Sequence, residues 1–392
     1  MKLVLKLLVL FVLNTIYVNC GITSKKEGEQ KIEDKFFNTF KSAKHSKAAT
    51  LLVHSDTLGL HIKSSAGGVE GNSSKISLDQ PFHIASVGKI FTTVLIFQQI
   101  ESGKLSLNDS IKKILGEDIV KNLFVYDGID HSEKVTIFHL LTHTSGVADY
   151  FESTEKNGKS VLDEITQNPD KFWTPVDLLD FTRNNQKALT IPGGKFHYSD
   201  TGYILLGLVI EKITNKKFET VLLEKLFLPL GMKNSYMHLR SEPIDKSKLP
   251  VSTMMLGNKN VTDYKSISSD WAGGGIISTT EDLLLFHQAL IAGKLISRDT
   301  YNSLMGVNKF MDGIYYGVGL MTVRFGDMSF LMPKTPDLHG HSGLLSTLLF
   351  YSPEYDAYII ANMGSTEDVG DSFEMMFWIM QYLKEIKNLK NK

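Results

Sequence analysis

The stretch at residues 87–100 restricts this chain more than any other. Apolar residues stand at Val87, Ile90, Phe91, Val94, Leu95, Ile96, Phe97 and Ile100. Wound at 3.6 residues per turn, they leave almost no polar face, so the helix they predict must be enclosed on nearly every side. Gly103 supplies a C-terminal stop. Enclosing such a helix takes a large shell of other elements. The 392 residues suffice for one large domain or two packed ones.

The rest of the chain offers that shell. Ile32, Phe36, Phe37 and Phe40 recur on one helical face. Residues 21–31 (GITSKKEGEQK) are polar and read as a tether, with the folded domain expected over 32–392. Residues 48–53 and 58–62 are strand-like, and Gly67-Gly68 and residues 71–74 mark turns. Helical periods dominate from 105 to about 300, as at 136–141, 201–213, 218–227 and 280–292. Strand patterns return at 316–325, 328–332, 346–351 and 358–361, and a helix closes at 371–386. Strands at both ends with helices between predict a mixed α/β (α+β) fold. One sheet is built from both ends, with an all-helical subdomain inserted at about 105–300.

Residues 1–20 stand apart. Lys2 and Lys6 precede an unbroken apolar run at 7–13, the layout of a secretory signal peptide and far short of the roughly 20 residues that span a bilayer. Cys20 is the sole cysteine, so no intramolecular disulfide can form. Followed by Gly21, it resembles the lipid-modified cysteine of a bacterial lipoprotein. Tyr17 and Asn19 depart from that pattern, and a cysteine lost with the cleaved peptide is the plainer reading. The expectation is an exported chain, lipid-anchored at the cell envelope through Cys20 or periplasmic or secreted. Lys and Arg (42) nearly balance Asp and Glu (43), with no basic stripe to suggest nucleic acid.

The chemistry is expected at the mouth of the apolar helix, in Ser86-Val87-Gly88-Lys89. A serine hydroxyl is a poor nucleophile until a base takes its proton. Three residues along a helix return to one face, so the Lys89 amine can lie beside the Ser86 hydroxyl. The helix N-terminus and burial both disfavour an ammonium, so a free amine is expected at Lys89. The plainer alternative makes Ser86 a helix cap and Lys89 a solvated side chain.

The segment PFHIASVGK resembles the nucleophile region of class C β-lactamases and of the related penicillin-binding proteins, D-alanyl-D-alanine peptidases and esterases. IESGKLSLNDSI, VTIFHLLTHTSGVADY, IPGGKFHYSDTGYILLGLVIEKIT, LFLPLGMKNS, AGGGIISTTEDL and GHSGLLSTLLFYSPE agree in order and spacing, from about residue 48 to about 366. The resemblance implies a β-lactamase/transpeptidase-like fold, with the cleft between sheet and helical subdomain holding the site. It also implies that Tyr198, in Tyr198-Ser199-Asp200, shuttles a proton between serine, lysine and leaving group. The usual third residue there is Asn. Asp200 can only accept hydrogen bonds when ionised, and a carboxylate beside Lys89 would favour the charged ammonium. Asp200 can instead simply cap the next helix.

The third motif, usually Lys-Thr-Gly, is matched by His341-Ser342-Gly343, implied to bind substrate. His341 could receive a substrate carboxylate when protonated or hydrogen-bond the Tyr198 hydroxyl when neutral. Gly343 would let a substrate backbone lie along an edge strand. The resemblance implies an oxyanion hole from the backbone N–H groups of Ser86 and Leu344, a kind of donor worth about 2.7–4 kcal/mol each. His339 reads as a strand residue without a role.

Other motifs are set aside. His139 and His143 lack the Glu of H-E-x-x-H and read as structural. Residues 340–344 miss the G-x-S-x-G elbow because Leu344 replaces its last glycine. Gly273-Gly274-Gly275 reads as a tight-approach loop, and no metal or organic cofactor is implied. The expected partner is a small-molecule or peptide substrate. The expected activity is acyl transfer through Ser86 on an amide or ester such as a D-amino-acid peptide or β-lactam. A carboxylesterase on the same residues and a catalytically silent penicillin-binding or scaffold protein are the alternatives.

Overall fold

The computed structural model describes residues 21–392 except 69–74, 153–158, 247–248, 307, 330–331, 334 and 391–392. The expected signal peptide, Cys20 and the turn at 71–74 lie outside the described residues.

The chain opens with α1 (Lys25–Ser42), β1 (Ala48–Ser55), β2 (Leu60–Gly67), β3 (Phe82–His83) and α2 (Gly88–Glu101). Its middle third holds α3 (Asp200–Thr214), β4 (Tyr236–Met237), β5 (Ile276–Ser278) and α4 (Thr280–Ile291), with shorter helices such as Ile137–Leu141 and Pro175–Asn185. The last part gives β6 (Asn308–Met311), β7 (Ile314–Tyr316), β8 (Met321–Val323), β9 (Leu338–Gly343), β10 (Thr347–Ser352), β11 (Ala357–Asn362) and α5 (Val369–Lys390).

Eight strands form one antiparallel sheet in the order β6-β7-β8-β9-β10-β11-β1-β2. The sheet is assembled from both ends of the chain: β1 pairs with β11, Thr50 opposite Asn362. Side chains alternate across it, as the two-residue period of a strand requires. Leu51, Val53 and Ile359 face α1 and α5, among Ile32, Phe36, Phe373 and Met380. Leu52, Leu349 and Ile360 join the other core, which holds α2. Within α2, Gly88 to Phe97 and Gln99 are all buried. Its polar groups are satisfied locally: the Thr92 hydroxyl donates to the Ala272 carbonyl at 2.7 Å. Phe91 stacks on Phe286 of α4 at 3.7 Å between centroids.

Several expectations need correction. Residues 21–31 are no tether, because α1 begins at Lys25, capped by Ser24. Ile22, Ile32 and Phe36 are buried while the charged residues between them face outward, so the polarity of this segment belongs to one side of a docked helix. Phe37, expected on the apolar face, is exposed. The insert at 105–300 is not all-helical: helices alternate with long loops and short strands. β4 and β5 join β3 in a small sheet, and hairpins pair Val125–Tyr126 with Ile129–Asp130 and Met255–Leu256 with Lys259–Asn260. Two-residue strands are too short to show a period. The expected strand at 316–325 is two strands, β7 and β8, folded back at Gly319. Of 328–332, the residues described form no strand.

Candidate active site

Ser86 sits in a single 3-10 turn, Ala85–Val87, that runs straight into α2. It is not the helix cap, and Lys89 is fully buried rather than solvated. The turn is strained: Ala85 has φ +47°, in the left-handed region that L-residues rarely adopt. Neighbouring backbone holds it. Ile84 N–H donates to the Ile276 carbonyl at 2.9 Å, and Ala85 N–H donates to His83 Nδ1 at 3.1 Å. Gly274 packs so closely that a Cβ there would overlap the Ala85 carbonyl. A Cβ on Gly343 would lie 2.7 Å from the Ile84 carbonyl oxygen, which sets the end of β9 against the Ser86 turn.

Lys89 Nζ lies 3.0 Å from Ser86 Oγ and 3.0 Å from the Gly273 carbonyl oxygen, and pairs closely with Asp200 Oδ1. An ammonium has three N–H donors, and these three acceptors use them all. Burial opposes the charge. The Asp200 carboxylate, aided by Asp270, outweighs it and holds Lys89 above the ordinary lysine range. The expected free amine is therefore corrected to an ammonium in a buried ion pair. Asp200 is also no cap: the first residue of α3, it turns its carboxylate to Lys89, and α3 has no side-chain cap.

The Tyr198 phenol lies beside Ser86 and Lys89, with its ring centroid 5.1 Å from Lys89 Nζ. Burial raises its phenol above the usual tyrosine value, Lys89 partly offsets this, and Asp200 adds to it. The phenol is therefore neutral. His143 stacks on the Tyr198 ring at 4.2 Å, and its Nδ1 accepts the Ser199 N–H at 3.0 Å. Two more carboxylates line the rear of the site. Asp149 Oδ1 accepts the Asp200 N–H at 3.3 Å, and burial and then Asp200 push it well above the carboxylate range. Asp270 is lifted to about 7 by burial and by Asp200, against the pull of Lys89.

The third motif lies on β9, which is not an edge strand: it pairs with β8 and β10. The pairing with β8 ends at Gly340, so His341, Ser342 and Gly343 outrun that neighbour and form a local edge. His341 is fully buried. Its Nδ1 meets the Ser342 carbonyl at 2.7 Å and its Nε2 the Tyr316 hydroxyl at 3.3 Å. Tyr316, not Tyr198, is its partner. Burial and Lys89 push its pKa down to about 3, the Ser342 bond opposing, so it is neutral. Ser342 Oγ contacts Met321 Sδ at 3.6 Å. Leu344, next in the chain, is exposed.

The structure thus brings Ser86, Lys89, Tyr198, Asp200 and the His341–Gly343 segment together. The sequence reading missed the contributions of His83, Asp149, Tyr316, Asp270 and the Gly273 carbonyl. It also gave His143 no place beside Tyr198. His143 and Asp149 stood inside a segment singled out for its resemblance, and Gly273 beside a noted glycine run. Those were the available signals. His139 closes a capping box with Thr136.

Residues 58–374 match the sequence profile of the beta-lactamase family. A penicillin-binding protein of Bacillus subtilis (strain 168) is 30% identical over 252 residues, 61% of this chain and 51% of its own length. Penicillin-binding protein 4 of Amycolatopsis lactamdurans is 28% identical over 199 residues, 51% of this chain and 47% of its own length. The chain spans about half the length of these curated relatives. The solved D-amino acid amidase of Ochrobactrum anthropi SV3, complexed with L-phenylalanine amide, shares the fold. Its TM-score is 0.72 at 20% identity, covering 92% of this chain and 98% of the amidase chain. With a profile match over most of its length, the chain belongs to the beta-lactamase family.

Proposed function

We propose that this chain is a serine hydrolase in which Ser86 Oγ attacks an amide or ester carbonyl and forms an acyl-enzyme. The observation that carries the reading is Lys89 Nζ, fully buried, at 3.0 Å from Ser86 Oγ, with Asp200 as counterion. The Lys89–Asp200 pair acts as one base. Lys89 takes the Ser86 proton while handing one of its own to Asp200, so the ammonium persists and the carboxylate becomes neutral. Tyr198, a neutral phenol beside Ser86 and Lys89, gives its proton to the leaving group and regains one through Lys89. The backbone N–H groups of Ser86 and Leu344 receive the oxyanion. Buried and neutral, His341 offers a substrate carboxylate no positive charge. This favours an amide or ester without a free carboxylate beside the third motif, such as an amino-acid amide or a simple ester. The names of the penicillin-binding relatives favour a D-amino-acid peptide or β-lactam as the second reading.

Intact mass after incubation with a penicillin, a D-amino-acid amide and an activated ester tests this. An adduct on Ser86 that Ser86→Ala abolishes is expected, fastest from the ester. Failure of every acylating agent, a fluorophosphonate included, would favour the silent-scaffold reading. We also propose export and lipid attachment at Cys20, supported by the pattern of residues 1–20. Labelling by a lipid precursor should vanish in Cys20→Ala, and unchanged labelling sinks the idea. Among the described residues no helix is long and apolar enough to cross a membrane.

A further inference from the structure

We propose that His83 is a positioning residue for Ser86: its Nδ1 accepts the backbone N–H of Ala85 and so fixes the left-handed turn that aims the nucleophile. The inference rests on the reading of Ser86 as nucleophile.

Ala85 is buried, and a buried backbone N–H needs a partner. Two nearby amides find theirs in backbone carbonyls: Ile84 N–H in Ile276, Val87 N–H in Ile84. Ala85 N–H instead meets a side chain, His83 Nδ1, at 3.1 Å. A backbone amide can only donate, so Nδ1 carries the lone pair and the ring proton sits on Nε2. Burial, and then His238, keep this imidazole neutral, with a pKa of about 3. The ring is well anchored. His83 is 2% exposed and lies on β3 opposite Ile277 of β5. Its Nε2 is buried without a hydrogen-bond partner, 3.9 Å from Asp270 Oδ2. Ala85 holds φ +47° immediately before the nucleophile. Without the His83 contact, the amide would turn to seek another partner and carry Ser86 Oγ with it.

A side chain that merely fills space would make a different prediction. Asn places its carbonyl oxygen about where His Nδ1 lies, whereas Gln reaches one bond further, towards the Nε2 position. Leu fills the space with no acceptor. The experiment compares full-length wild type, His83→Asn, His83→Gln, His83→Leu and Ser86→Ala. It reads kcat and KM for an activated ester, the rate of Ser86 labelling by a fluorophosphonate, and thermal melting. A misplacement of about 1 Å at a reacting atom can cost about a hundredfold in rate. His83→Gln and His83→Leu should therefore lose about ten- to a hundredfold in kcat with KM little moved, while His83→Asn keeps most of the rate. Equal activity in the Leu, Gln and Asn variants overturns the proposal. So do losses that follow melting temperature regardless of side-chain chemistry. If Ser86→Ala abolishes labelling while every His83 variant matches wild type, this inference fails alone. If wild-type Ser86 is not labelled at all, the reading of the nucleophile fails and takes this one with it.

Discussion

Asp200→Asn separates the two ways Lys89 could serve Ser86. In the wild type the ammonium faces Ser86 Oγ, the Gly273 carbonyl and a carboxylate. Asn keeps the size and an acceptor oxygen but removes the counterion. Two unit charges about 4 Å apart at an effective dielectric of 20 attract by about 4 kcal/mol. Losing that attraction in a buried site favours the free amine by about a thousandfold. The variant should then behave as a lone lysine base. Its rate of Ser86 acylation should climb about tenfold per pH unit through the neutral range and level off once Lys89 has lost its proton. The wild-type pair is already poised as a unit. Lys89 is held above the ordinary lysine range, so its charge persists through neutral pH and is lost only as pH rises through that raised value. Its acylation rate should be flat from neutral to mildly alkaline pH. The assay is single-turnover release of nitrophenol from an activated ester across that range, in both proteins. Superimposable profiles would refute the assignment of Asp200 to the proton path.

Other outcomes follow from the same geometry. Lys89→Met leaves the Asp200 carboxylate buried without its partner, which should cost about 3–5 kcal/mol in denaturant unfolding. Lys89→Met combined with Asp200→Leu should recover much of that loss, and a single variant as stable as wild type would contradict the buried pair. Gly274→Ala drives a methyl into the Ala85 carbonyl and should destabilise by about 1–3 kcal/mol, with slower Ser86 labelling. An unchanged melt and labelling rate would show that the turn can yield. His341, with a pKa near 3, is already neutral at mildly acid pH. His341→Asn should therefore leave the acid limb of the pH–rate profile in place, and a displaced limb would mean that the imidazole titrates there. Ile32→Ala, deep between α1 and the sheet, should cost about 2–5 kcal/mol. A neutral result would return α1 to the status of a loose leader.

Much of this was legible in the chain. The apolar run at 87–100 forced a buried helix, and the three-residue spacing of Ser86 and Lys89 put their side chains together. Strand composition at both ends foretold one sheet built from both ends of the chain. What escaped was set by tertiary context. A lysine at a helix start says nothing of its charge until its neighbours are placed. Asp200 decided that charge, reversing the free-amine expectation. His341 looked ready to meet a carboxylate, but burial and Lys89 keep it neutral. The first turns of α1 looked like a linker because only one side of that helix is apolar. β9 reads Leu-His-Gly-His-Ser-Gly, a composition with little strand signal, yet it holds the third motif.

The seam between β1 and β11 bears on how the protein is made. Thr50 finds Asn362 and Leu52 finds Ile360, so the central sheet cannot close until nearly all the chain is available. Contacts so distant in sequence slow folding, because loop entropy is lost before they reward it. Ser86 leaves the ribosome early, but the strand that flanks it, ending at Gly343, arrives late. A partly synthesised chain therefore carries Ser86 without the strand end that packs against its turn, and labelling of Ser86 should appear only when the final strands dock.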